Sequence, residues 1–215
     1  MAPPTVAEAI RHRRSVRRFR PDPVPETLLH ELLELTMEAP SSWNFQSRSV
    51  VAVRDPVARE ALSRAAYGQR QPREAPLTLV FLAETGRWHE DLSGIYRAAR
   101  DNRAWDEDFV HATATSGIDF QRALDARGLG REYAVKDAVI AATHAMLAAS
   151  AAGLASSPMN GWDEAQVLGA IGADHRDGLA VALLLSVGYP AEQHRHPGRL
   201  PLHRVAFGDR YGESL

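Results

Sequence analysis

Arg13-Arg14-Ser15-Val16-Arg17-Arg18-Phe19 gathers four guanidinium groups around one hydroxyl within seven residues. A cluster of like charge this dense calls for an anionic partner, because a planar guanidinium stays charged and donates paired hydrogen bonds to an oxyanion. Upstream, Thr5-Val6-Ala7-Glu8 has the form of a capping box, so a short helix starts there and delivers the arginines at its end. Downstream, a second helix follows Pro25 with Leu28, Leu29, Leu32 and Leu35 on one apolar stripe. It stops before Pro40, because proline disfavours helix in the residue that precedes it.

Beyond Pro40, the segment to Gln46 reads as a loop or a new helix start. Residues 49–53 and 77–83 are rich in β-branched or large apolar side chains and read as strands, with a helical pattern over 57–66 between them. Residues 87–130 are more polar, carry scattered aromatics and read as helices around looser connections. Residues 131–152 form an alanine-rich segment apolar almost all the way round, which marks a helix buried on most of its surface, either in the core of a monomer or in an interface. Gly153 is its expected C-cap, 163–172 a further short helix, 179–187 a core strand, and 202–207 one more strand. Helices outnumber strands without regular βαβ alternation, so the expected class is α+β, in one domain over 1–215.

Composition removes several chemistries. With 45% hydrophobic and 24% charged residues in 215, the chain has material for a substantial core. There is no cysteine, which excludes disulfides, thiolate metal sites, iron–sulfur clusters and thiol catalysis, and leaves redox chemistry to a bound cofactor. A net charge of −2 argues against non-specific nucleic-acid binding by the whole surface. No apolar run reaches the roughly 18 residues of a membrane span, and the N-terminus lacks an apolar signal core, so the expected location is the cytoplasm. Neither a G-x-S-x-G elbow nor a phosphate loop of the G-x-x-x-x-G-K-[ST] type occurs. His194 and His196, with His203 nearby, lack a carboxylate or cysteine at ligand spacing, and no metal is expected.

Two further segments complete a pattern in the order of the chain: Ala39-Pro40-Ser41-Ser42-Trp43-Asn44-Phe45-Gln46 and Gly198-Arg199-Leu200-Pro201-Leu202. Together with the arginine stretch they resemble the FMN-dependent nitroreductase family. The resemblance implies a mainly antiparallel sheet flanked by helices, an intertwined homodimer and a flavin at each subunit interface, with helix 131–152 in that interface. It places Arg13, Ser15 and Arg199 along the phosphate and ribityl end of FMN, and Arg17 near the pyrimidine edge, where positive charge favours the reduced ring, while Arg14 matches a position that also lines the cofactor. Pro40, Ser41, Ser42 and Asn44 would reach the flavin from the other protomer, an amide being suited to an edge that presents both donors and acceptors. Gln71, with Gln69 as its rival, would face the pyrimidine. Pro158, Met159, Asn160 and Gly161 would lay backbone along the reactive edge of the ring, although Pro158-Met159 reads equally as core packing. Some relatives carry a second cation where this chain has Pro197, which leaves Arg199 with less help or brings in His196.

The implied activity is an FMN-dependent NAD(P)H oxidoreductase. NADH or NADPH would be the transient donor and a nitroaromatic, quinone or similar electron-poor small molecule the acceptor. No catalytic side chain is named, because the flavin carries the chemistry. A same-fold dehydrogenase or reductive dehalogenase is the nearest alternative. The alternative of another class is a nucleic-acid-binding protein that uses residues 11–20 as a basic arm, which predicts steep loss of affinity with salt.

Overall fold

The computed structural model describes residues 4–215. Helix α1, Val6–His12, begins at Thr5, whose side chain accepts the Glu8 N–H while the Glu8 carboxylate takes the Thr5 N–H at 2.8 Å. Helix α2, Glu26–Met37, follows Pro25, and a 3₁₀ turn at Ser42–Asn44 leads to strand β1, Arg48–Val53. Helices α3, Pro56–Ala65, and α4, Gln71–Glu74, precede strand β2, Leu77–Glu84. A helical excursion comes next: a 3₁₀ turn at Arg87–His89, α5 at Ser93–Asp101, α6 at Glu107–Ala112, a π-turn at Thr113–Gly117 and α7 at Ile118–Asp125. The chain then runs through α8, Gly130–Ala151, strand β3, Ala155–Met159, α9, Glu164–Ala170, and strand β4, Leu179–Gly188.

The sheet has the order β1-β2-β4-β3 and every pairing is antiparallel. Strands β2 and β4 are central and apolar on both faces, because each face is covered by helices. Leu77, Leu79, Phe81 and Ala83 pack with Leu29 and Leu32 of α2 and with the alanines of α8. Val80 and Leu82 face the other way, onto Leu62 and Ala65 of α3 and Val167 of α9. The alternation in β4 shifts where Phe81 pairs Leu183 and Leu82 pairs Val181, leaving Ala182 as the extra residue of a bulge. One polar pair sits inside this core, Thr78 and Ser186, and the two hydroxyls satisfy each other at 3.1 Å.

The alanines of α8 explain its depth. Ala138, Ala141, Ala142, Ala145 and Ala149 are fully buried, and side chains this small let the helix lie close on the sheet. Its opposite face, with Val139 and Ile140, stays 36% and 39% exposed, and Val6 and Ile10 of α1 are more exposed still.

Two expectations change. Residues 202–207 are no strand: Pro201 starts a 3₁₀ turn at Leu202–Arg204, and these side chains are exposed with no neighbouring strand to pair with. Residues 155–159, to which the sequence reading assigned no strand, form strand β3 despite Pro158. Strand β3 is a sheet edge, where a residue without an N–H is tolerated. No helix among the described residues is long and apolar enough to cross a membrane.

Candidate functional site

The arginine stretch is held open by its two apolar residues. Val16 and Phe19 are buried beside Ala75, which turns the side chains between and around them outward. The Val16 N–H donates to Ser156 O of β3 at 3.2 Å, and Arg20 N–H donates to Tyr189 O at 2.9 Å just past β4. Residues 13–20 are thus stitched across the ends of both strands. A side chain completes the attachment: Glu192 accepts the N–H groups of Arg17 at 2.8 Å and Arg18 at 3.0 Å, and His194 Nε2 lies 2.8 Å from the same oxygen. These bonds, that of Arg17 first, hold the Glu192 carboxyl below the usual carboxylate range.

The result is a cavity of about 270 Å³ lined by Arg13, Arg14, Ser15, Arg17 and Arg199, with His194, Arg195, His196 and Pro197 completing the wall. No carboxylate lines it. Arg13 is half-buried, and burial, with Arg199 and Arg14 close by, pushes its pKa below the ordinary arginine value. Arg13 Nη1 and Arg14 Nε are buried without a hydrogen-bond acceptor among the described residues. Buried donors of this kind are costly to leave unmade, so the cavity has the donor set and charge for an anion with several oxygens. Outside the cavity, Arg18 meets Glu74 at 3.5 Å and Arg20 meets Asp22 at 3.4 Å.

Pro40, Ser41, Ser42 and Asn44 do not line this cavity. They sit in a loop over α8 whose backbone is unusual: Trp43, Asn44 and Gln46 all adopt φ of 53°. Asp137 of α8 holds the loop by accepting the Ser42 N–H at 3.2 Å, and the Ser42 hydroxyl pairs with that of Tyr133. Burial raises the Asp137 pKa, against the Ser42 amide and the nearby Arg48, which lower it. Arg48 is itself buried and donates from Nη2 to the carbonyls of Met37, the last residue of α2, and Ala39 just beyond it. Sequence reading missed Asp137, Tyr133 and Arg48. The available signal was an acid, Asp137, followed by an alanine-rich apolar run in α8.

Gln71 is buried in α4. Gln69 instead donates from Nε2 to Gly161 O at 3.2 Å, and Tyr67 OH donates to Trp162 O at 3.1 Å, so the turn before α4 supports the segment after β3. Pro158 and Met159 belong to β3, with Met159 in the core, whereas Asn160 is exposed just beyond the strand end. Ser15 bridges to Ser156, which ties the arginine cavity to the strand that leads to Asn160 and Gly161. Among the described residues, no group of three or more His, Cys, Asp or Glu is placed to hold a metal ion.

A model of the nitroreductase family matches residues 10–189. The chain is 40% identical over 200 residues to a protein named NADH dehydrogenase from Thermus thermophilus, with 91% of each chain covered. It is 25% identical over 200 residues to a Bacillus subtilis protein provisionally named an NAD(P)H nitroreductase, covering 93% of this chain and 96% of that one. Among solved structures, a protein of Exiguobacterium sibiricum provisionally named a nitroreductase and crystallised with FMN superposes with a TM-score of 0.86 at 20% identity. The match covers 96% of this chain and 98% of that one, and at this identity it speaks to the shared fold.

Proposed function

The chain belongs to the nitroreductase family, and from that premise we propose that it is an FMN-dependent NAD(P)H oxidoreductase acting on nitroaromatic, quinone or similar electron-poor small molecules. The observation that carries the reading is the arginine cavity, whose buried Arg13 Nη1 and Arg14 Nε have no partner among the described residues. A phosphate dianion fits that donor set, and the absence of any lining carboxylate favours it.

In this reading Arg13, Arg14, Ser15 and Arg199 hold the phosphate and ribityl end, and Arg17 supplies positive charge beside the ring. The segment Pro158 to Gly161, braced by Gln69, gives backbone for the ring to lie against, with Gln69 or Gln71 toward the pyrimidine. The redox chemistry, hydride from NADH or NADPH and electrons onward to the acceptor, is what FMN supplies when bound. The protein's own work is to bind, orient and exclude water. No side chain is required as nucleophile, and solvent can deliver protons.

The reading includes one domain over 1–215, a cytoplasmic location and a homodimer in which the partner protomer supplies Pro40, Ser41, Ser42 and Asn44. Two features support the dimer. Val139 and Ile140 of α8 and Val6 and Ile10 of α1 leave large apolar side chains exposed, and the loop carrying Asn44 lies away from its own chain's cavity. The experiment is an anaerobic absorption spectrum of the purified protein before and after stoichiometric NADH or NADPH, with the released cofactor identified. Flavin bands from FMN that bleach with either nucleotide support the reading. A colourless protein that takes up no added FMN overturns it.

A further inference from the structure

Besides the Ser15 hydroxyl, the wall of the arginine cavity contains one side chain that is neither permanently charged nor engaged by a carboxylate, His196. His196 lines the cavity beside Arg13, Arg14, Arg17 and Arg199. His194 lines it too, but its Nε2 is engaged by Glu192 at 2.8 Å. The backbone N–H of Gly198 donates to His196 Nδ1 at 2.9 Å. A ring nitrogen that accepts a hydrogen bond carries no proton, so the neutral ring bears its single N–H on Nε2. The same short turn, with Gly198 at φ +89°, brings both His196 and Arg199 to the cavity.

From this geometry we propose that His196 is a further phosphate ligand of the site, acting as a neutral Nε2–H donor whose tautomer is fixed by Gly198. The inference rests on the reading of the cavity as the phosphate site of FMN. It assigns to a neutral side chain the place where the chain offers Pro197. The electrostatics of the wall agree. Desolvation, followed by Arg14 and Arg199, lowers the His196 pKa below the ordinary histidine value, which favours the neutral ring beside the cationic arginines. A further charge there would add to repulsion among Arg13, Arg14, Arg17, Arg195 and Arg199 in the empty cavity. A neutral donor adds a hydrogen bond without that cost. The same donor has nothing to bind in a flavin that lacks the phosphate, so His196 contributes to discrimination between FMN and riboflavin.

The test compares binding of FMN and of riboflavin to apoprotein by fluorescence quenching at pH 7.5, in the wild type, His196→Ala and His196→Gln. Calorimetry in two buffers of different ionisation enthalpy counts the protons taken up with FMN. The expected result is that His196→Ala weakens FMN about tenfold and leaves riboflavin unchanged. His196→Gln, which keeps a neutral donor, should recover most of the loss, with the same proton count as the wild type. The proposal is overturned if His196→Ala leaves the preference for FMN over riboflavin intact, if His196→Gln binds as weakly as His196→Ala, or if the wild type takes up a proton that His196→Gln does not. A wild type that binds FMN no better than riboflavin would instead remove the phosphate site itself, and the role of His196 with it.

Discussion

Glu192 accepts the backbone N–H of Arg17 at 2.8 Å across 175 positions of sequence, and with the same oxygen it takes the N–H of Arg18. The carboxylate thereby fixes the arginine turn to the segment that carries Arg199. Glu192→Ala should lower the thermal midpoint by about 2–4 °C, the shift for roughly 1 kcal/mol in a chain of this size. The folded-state pKa of Glu192 is lowered, so its contribution is present above the unfolded value and is lost as pH falls through the folded one. Melts of both proteins from neutral to acid pH should therefore show the gap closing on the acid side.

Asp137 behaves in the opposite sense. Burial raises its pKa, so its favourable contribution is complete below the unfolded value and is lost as pH rises through the folded value. Asp137→Asn has no proton to lose. The stability of the wild type relative to this variant should fall as pH rises from the acid range toward neutrality. Asp137→Ala is different, because it strips the Ser42 N–H of its acceptor and Arg48 of its nearby charge, at about 3 kcal/mol. Denaturant titrations at several pH values separate the two effects.

Gly117 fastens the helical excursion to the loop at residues 42–45. A Cβ on this residue would stand 3.1 Å from Phe45 Cζ and from Trp43 Cε3. Gly117 itself has helical φ −63° and ψ −44°, so the restriction is space alone. Gly117→Ala should cost about 1–3 kcal/mol by overpacking. Limited proteolysis should then cut within 107–125 faster than in the wild type.

Arg13 is placed for a ligand at the expense of the empty site, since its charge lies near those of Arg199 and Arg14. Arg13→Gln should leave the apoprotein as stable as the wild type or slightly more so, while weakening FMN by about 10- to 100-fold, the range for a lost charge-assisted hydrogen bond. Arg199→Ala should likewise lower FMN occupancy with the fold intact. Calorimetric melts with and without added FMN read both quantities.

Much of the scaffold was legible because its signals are local. The capping box at Thr5 and Glu8, the leucine stripe of α2 and the alanine-rich α8 each report on neighbours one turn away, and each formed the helix expected. The short edge strand β3 escaped because Pro158 reads as a strand breaker until the outer side of the sheet is known. The error at 202–207 has a related cause, since apolar side chains define a strand only when another backbone lies alongside.

The sequence by itself thus determined α1, α2, α3, α8 and α9, the central strands and the inventory of arginines, all of which follow from patterns within a few residues. The tertiary structure alone decided which groups meet. It placed Arg13, Arg14, Arg17 and Arg199 around one cavity, gave the Gly161 carbonyl to Gln69 and left Gln71 buried, and set Asp137 under Ser42 from 95 positions away. The physical reason is that periodicity fixes which face of an element is apolar, whereas a polar side chain finds its partner only after those faces have packed and excluded water.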